Sequence, residues 1–286
     1  MMQEGQANRQ ARDTFARLAE TLEALGDLEL LDAGQRHVLE RRVAKLLEER
    51  DRFLLEFRAA WTPAAVDGYR ALAGSGDEAA LHDELMHLFA LVELTLVDGA
   101  ESRGHLERTA AFVRALAAAR DEPTEFCAAI GFAALIHDVG LVVVPEELVQ
   151  SRARVDSYES QLIDLHTRVG AALVETVCDR LGLDDGPLAL GRDIVRCHHE
   201  RYDGLGPLGL AGEAIPYAAR LFAIVDVYDT LRRQRTHRAA LDHAAAVVAV
   251  RAGNRDGRVQ FDPDLLPAFL ACETDFDRLF DVAADA

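Results

Sequence analysis

The sequence predicts an all-α protein, and three observations carry that expectation. Alanine, leucine, arginine and glutamate dominate almost every segment, and these residues lose little on entering a helix. Apolar positions recur at threes and fours, the spacing that lines one face of a helix. Alternating β-branched runs are missing apart from the stretch Leu141 to Val144.

In chain order, Asp32 and Gln35 have the spacing of a capping box, and Leu39, Val43, Leu46, Phe53, Phe57 and Trp61 then line one face of a long amphipathic helix. Glu40, Arg41, Glu48 and Arg52 cover its other face. Two readings stay open for these charges: a solvated surface, or a coiled-coil flank through which two copies of the chain pair as a homodimer. Breaks at Gly68 and at Gly74-Ser75-Gly76 place a domain boundary near residue 76. Residues 1–75 are thus read as an N-terminal helical region with a regulatory or dimerising role, and 76–286 as a second domain. Asp77 caps a helix running to about Val97 and closed by Asp98-Gly99. Thr124, after Pro123, caps an apolar helix that stops at His137-Asp138-Val139-Gly140. A helix from about Leu188 delivers Cys197-His198-His199-Glu200 to its end, before a glycine-rich loop. Pro216 stands in the first turn of a helix that carries Asp226 inside a strongly apolar run.

Composition narrows the function. Hydrophobic residues make up 50% of the 286 and charged ones 28%, which suits a globular chain with a buried core. Thirty-one Lys and Arg against 49 Asp and Glu give a net charge of -18, a field that repels nucleic-acid polymers. The polar opening and the lack of an uninterrupted run of ~18 apolar residues predict a cytoplasmic protein with no membrane association. The four cysteines, Cys127, Cys178, Cys197 and Cys272, lack CxxC spacing and read as small buried apolar residues.

The polar groups that interrupt the apolar helices are where chemistry is expected. Of ten histidines, His105, His137, His166, His198 and His199 are predicted at or beside helix ends, while His37, His82, His87, His237 and His243 read as surface or hydrogen-bonded residues. His137-Asp138 follows eleven mostly apolar residues, and a buried unpaired carboxylate costs several kcal/mol, so a cation should neutralise it. Asp226 poses the same problem, because no lysine or arginine lies within four positions on its face and Arg220 and Arg235 are too far along the helix. A metal bound jointly by Asp138, Asp226 and the histidines satisfies both carboxylates, and such mixed ligands suit Fe, Mn or Zn. Glu101 and His105, four apart on one helix face, are either two further ligands or an exposed pair at a helix start.

The order His105, His137-Asp138, His166, His198-His199, Asp226 resembles the HD-GYP branch of the HD phosphohydrolase superfamily, whose members are cyclic-dinucleotide phosphodiesterases. HDVGLVVVPEELV is similar to its HD-x-G-K signature, and HHERYDGLGPLGLAGEAIP to the HHE...DG-x-GYP stretch that names it. ARLFAIVDVYDTLRRQRTHR and FDPDLLPAFL resemble later family segments, so the likeness covers roughly residues 80 to 275.

That resemblance implies a helical bundle of the HD-GYP type with an additional N-terminal helical region. It implies a bridged metal pair held by His137, Asp138, His166, His198, His199 and Asp226, with Asp138 the bridging carboxylate and His105 beside them. A subset of the family holds a third metal with a glutamate where Glu101 stands, so two or three divalent ions are expected, iron first and manganese next. Arg235 and Arg238 match positions that contact the phosphates of the dinucleotide. The implied reaction is hydrolysis of cyclic di-GMP to pGpG or GMP by a metal-bridging hydroxide. Two departures stand out: Leu141 replaces the signature lysine, and Gly206-Pro207 replaces Gly-Tyr-Pro, deleting the tyrosine and shortening the loop by one residue. They imply slow turnover, or a degenerate sensor that binds the dinucleotide or a protein partner without cleaving it.

Overall fold

The computed structural model describes residues 102–144, 157–234, 239–255 and 257–284, with residue 148 and isolated positions between 81 and 95. The N-terminal helix, the boundary near residue 76, Glu101, Arg235 and Arg238 lie outside the described residues. The described residues contain no strand, only an isolated antiparallel bridge between Asp203 and Ala211, so the all-α expectation holds.

The helices are α1 (Arg103–Ala118), α2 (Thr124–Ala134), α3 (Ser157–Leu181), α4 (Gly186–Cys197), α5 (Tyr217–Arg232), α6 (His243–Ala252) and α7 (Leu266–Ala284), with a 3₁₀ segment at Val139–Val143 after α2. They divide into two compact units, and the chain passes from one to the other between His137 and Asp138. One unit contains Asp138, the 3₁₀ segment and α3. The other contains α1, α2 and α4 to α7.

In the larger unit, Ser102 starts α1 by accepting the His105 backbone N–H on its hydroxyl, a short cap that satisfies one orphan donor. Leu106, Ala110, Phe112, Val113, Leu116 and Ala117 then bury one face of α1. Helix α2 packs on α1 through Gly131, where an added Cβ would lie 2.5 Å from the Arg114 Cδ. Its N-cap is Pro123, with Thr124 the first helical residue and no side-chain cap, a one-residue shift from the expected start. Helix α5 is buried nearly all round and packs against α1, α4 and α6, and its tyrosine Tyr228 joins Phe112, Phe269 and Phe276 in an aromatic cluster. Phe112 and Phe276 stack with centroids 4.6 Å apart, which fixes α7 on α1.

In the other unit, the Leu141 to Val144 run packs as a 3₁₀ turn capped onto itself, its residues buried like those of a core strand. A Cβ on Gly140 would fall 1.9 Å from the His166 carbonyl oxygen and 2.7 Å from the Gly170 nitrogen. Only glycine lets this segment press onto the α3 backbone. His166 lies in the middle of α3 rather than near a helix end, because α3 runs unbroken for 25 residues.

By composition Thr124–Val143 is long and apolar enough to cross a membrane, at mean hydropathy 2.1, which corrects the expectation that no stretch is. It is broken after Ala134, and 78% of it is buried inside the protein, as in a core helix.

Candidate metal centre

The histidines share a local habit. His137 sits just past α2 and donates Nδ1–H to the Ala134 carbonyl at 2.8 Å. His198, the residue after α4, donates Nδ1–H to the Ile194 carbonyl at 3.0 Å, and His166 donates to Ile163 at 2.5 Å. Each acceptor is a carbonyl about one turn earlier, so the backbone itself fixes the tautomer and leaves Nε2 as the lone-pair nitrogen. This is how metal-ligating histidines are oriented.

Within the larger unit, His105, His137 and Asp226 bring one ligand atom each to within 4.8 Å of one another. The His105 Nε2 is 3.2 Å from the His137 Nε2 and 3.7 Å from an Asp226 carboxylate oxygen. Both rings are almost wholly buried, at 1% and 0% exposure. Two neutral imidazoles whose Nδ1 atoms both donate would oppose lone pairs across that gap, and a shared cation relieves the repulsion. Two nitrogens bound at about 2.0–2.1 Å to one ion stand roughly 3–3.4 Å apart, so the donor set fits a divalent metal. His198 lies edge-on to His137, ring centroids 5.4 Å apart, with His199 exposed beside it. In the other unit the His166 Nε2 is 3.2 Å from an Asp138 oxygen, held there by the Gly140 contact on α3.

Among the described residues, the most buried carboxylate is not the one the sequence singled out. Asp226 is 17% exposed, whereas Asp229, one turn further along α5, is fully buried. Arg108 donates to both Asp229 oxygens, Nε at 2.5 Å and Nη2 at 3.1 Å, and His105 donates its Nδ1–H at 2.6 Å. Burial pushes the Asp229 carboxyl upward, but the hydrogen bonds from His105 and Arg108 outweigh it and hold the group at about 2. Neither Asp229 nor Arg108 was a sequence candidate. Their signal was the i, i+3 spacing from Asp226 and from His105.

The glycine-rich loop after His199 is organised by a buried carboxylate. Glu200 accepts the backbone N–H groups of Leu208 at 2.7 Å and Leu210 at 2.8 Å, and a Cβ on Gly206 would lie 2.7 Å from the Glu200 Cα. Arg201 holds Asp203 through two hydrogen bonds, at 2.9 and 2.6 Å, which lower its carboxyl below the ordinary range. Asp203 in turn accepts the Val259 N–H at 3.1 Å. The loop is therefore closed on itself without the missing tyrosine, with Leu205 turned outward at 74% exposure. Leu141 is buried at 6% exposure.

The sequence matches the HD domain family over residues 65–265, and the chain belongs to that family. A cyclic di-GMP phosphodiesterase of Vibrio cholerae is 34% identical over 187 residues, 62% of this chain and 37% of that protein. A probable cyclic di-GMP phosphodiesterase of the same organism is 30% identical over 223 residues, 75% of this chain and 49% of that one. A 3'3'-cGAMP-specific phosphodiesterase 2, also from Vibrio cholerae, is 29% identical over 139 residues, 48% of this chain and 26% of its own length. These relatives support membership of the HD-GYP branch, and the chain spans less than half of each of them.

Proposed function

We propose that the chain is a metal-dependent phosphodiesterase acting on cyclic di-GMP and releasing pGpG or GMP. The observation that carries the reading is the shared tautomer: His137, His166 and His198 commit Nδ1 to backbone carbonyls and His105 commits it to Asp229, presenting Nε2 as a ligand four times over. The ligand set follows the family resemblance: His137, Asp138, His166, His198, His199 and Asp226 for a metal pair, with His105 and Glu101 for a third ion. Bound there, divalent ions supply an activated water and neutralise charge building on the phosphoryl oxygens. Iron is the first expectation and manganese the second. Arg235 and Arg238 are assigned to the substrate phosphates, the cytoplasm is the proposed location, and the N-terminal helix is the proposed dimer contact.

A second reading, binding without cleavage, is favoured by one observation. The residue in the signature lysine position, Leu141, is buried and apolar, so it offers no cation to the leaving group. Protein purified anaerobically and loaded with Fe²⁺ or Mn²⁺ should convert cyclic di-GMP to pGpG or GMP in a chromatographic assay, with 3'3'-cGAMP run in parallel. Cleavage of 3'3'-cGAMP alone would reassign the substrate, and tight binding without product from either would select the sensor.

A further inference from the structure

We propose that Asp229 is a positioning residue that sets the tautomer and aim of His105, and thereby the metal affinity of the larger unit. The proposal rests on the metal-centre reading above.

His105 differs from the other three histidines in where it sits. It occupies the first turn of α1, and the Ser102 carbonyl one turn back already accepts N–H groups from His105 at 3.0 Å and Leu106 at 3.2 Å. The ring of His105 does not turn back to that carbonyl: its nitrogens meet Asp229 and His137, whereas His137, His166 and His198 each place Nδ1 on a backbone carbonyl. The acceptor comes from across the core instead: Asp229 on α5, fully buried, 2.6 Å from the His105 Nδ1.

Asp229 is itself fixed. Arg108 lies one turn beyond His105 on the same face of α1 and grips both carboxylate oxygens, and its guanidinium rests over the Phe280 ring at 4.9 Å, against which Arg232 also lies at 4.2 Å. With both oxygens occupied, Asp229 serves the neighbouring histidine, while Asp226, one turn earlier on α5, presents its carboxylate to the His105 Nε2. Two i, i+3 pairs facing each other thus separate the roles of ligand and orienter.

Asparagine at position 229 makes the idea testable, because it carries one acceptor and one donor group where aspartate carries two acceptors. Arg108 only donates, and its Nε at 2.5 Å from Oδ1 is closer than its Nη2 at 3.1 Å from the Oδ2 shared with His105, so the amide oxygen takes the Oδ1 place. The amide nitrogen then faces His105 Nδ1, which must become an acceptor and move its proton to Nε2, blocking the ligand atom. Removing the arginine as well lets the amide turn its oxygen back to the histidine.

The test uses the full chain. Nitrogen-15 NMR of histidine-labelled, metal-free protein reads the tautomer of His105, and Co²⁺ titration reads affinity. Wild type is expected to carry the proton on Nδ1. Asp229→Asn is expected to carry it on Nε2 and to bind Co²⁺ about 10–100-fold more weakly, the scale of a lost orienting partner. Asp229→Asn with Arg108→Met is expected to recover most of that loss, which simple destabilisation would not produce. Wild-type His105 protonated at Nε2 overturns the proposal even if the variants fail to fold. Wild type that binds Co²⁺ while Asp229→Asn keeps both tautomer and affinity overturns this proposal alone. Wild type that binds no Co²⁺ overturns the metal-centre reading and this proposal with it.

Discussion

Replacing Gly140 with alanine probes how Asp138 and His166, two of the proposed metal ligands, are held against each other. A Cβ there would lie 1.9 Å from the His166 carbonyl oxygen, 2.7 Å from the Gly170 nitrogen and 2.8 Å from the His166 carbonyl carbon. All of these are backbone atoms of α3, so no side chain can swing aside. Reaching even 3.0 Å, below which real Cβ contacts essentially never fall, requires the 3₁₀ segment and α3 to separate by about 1.1 Å. Overpacking of that kind costs ~1–3 kcal/mol of stability. Its effect on metal binding should be larger in proportion. Asp138 precedes the 3₁₀ segment directly, its oxygen is 3.2 Å from the His166 Nε2, and ligand distances in a metal site tolerate only about ±0.2 Å. Gly140→Ala should therefore lower the urea midpoint and weaken Mn²⁺ binding by about tenfold or more. Calorimetric Mn²⁺ titration beside urea unfolding measures both. An alanine variant with wild-type affinity would refute the idea that this glycine sets the Asp138 to His166 geometry.

Asp226→Ala should empty metal from anaerobically purified protein, and Glu101→Ala should lower the count by about one ion; elemental analysis checks both, and full retention in the Asp226 variant sinks its role as a ligand. Leu141→Lys should raise the catalytic constant for cyclic di-GMP more than it changes affinity, because a preorganised donor acts on charge that develops in the transition state and is typically worth ~10²–10³. Arg235→Ala should instead weaken binding by roughly 1.5–3 kcal/mol, and single-turnover hydrolysis beside calorimetry separates the two effects. The loop after His199 should loosen in acid. Asp203 is held below its ordinary value of 3.8 by Arg201, so the stability this pair adds is present above that value and is lost as pH falls below it, through the lowered folded value. Amide-exchange protection at Val259 should decline over that range in wild type and stay flat in Asp203→Asn; equal behaviour of the two proteins would refute the assignment.

Helices were legible wherever one face was buried and the other wet. The apolar spacing of α2 and α5 located both elements to within a residue or two, with Pro123 and Pro216 marking their starts. The β-branched run after Gly140 was less legible. Its composition suits a strand, but one strand has no partner in an all-helical chain, and the absent Cβ at Gly140 lets the segment wind into a 3₁₀ turn against α3 instead. Pairing of that sort depends on contacts distant in sequence, which local spacing does not encode.

The candidate site divided along the same line. Asp226 was conspicuous because Ile224, Val225 and Val227 surround it in sequence, yet its side chain retains some exposure, whereas Asp229 is the wholly buried carboxylate. Nearest neighbours misled because Thr230, Arg232 and Arg233 make Asp229 look like the polar end of a helix. Helical period does better: Phe222, Val225 and Asp229 fall at i, i+3 and i+7, and all three are buried on α5. A carboxylate on the buried face of a helix needs a partner from another element, and the same period applied to α1 places Arg108 one turn from His105. The sequence thus held both halves of the clamp at helical spacing, but only the packing of α1 on α5 joins them and divides the two aspartates into one that faces the histidine Nε2 atoms and one that holds the His105 Nδ1.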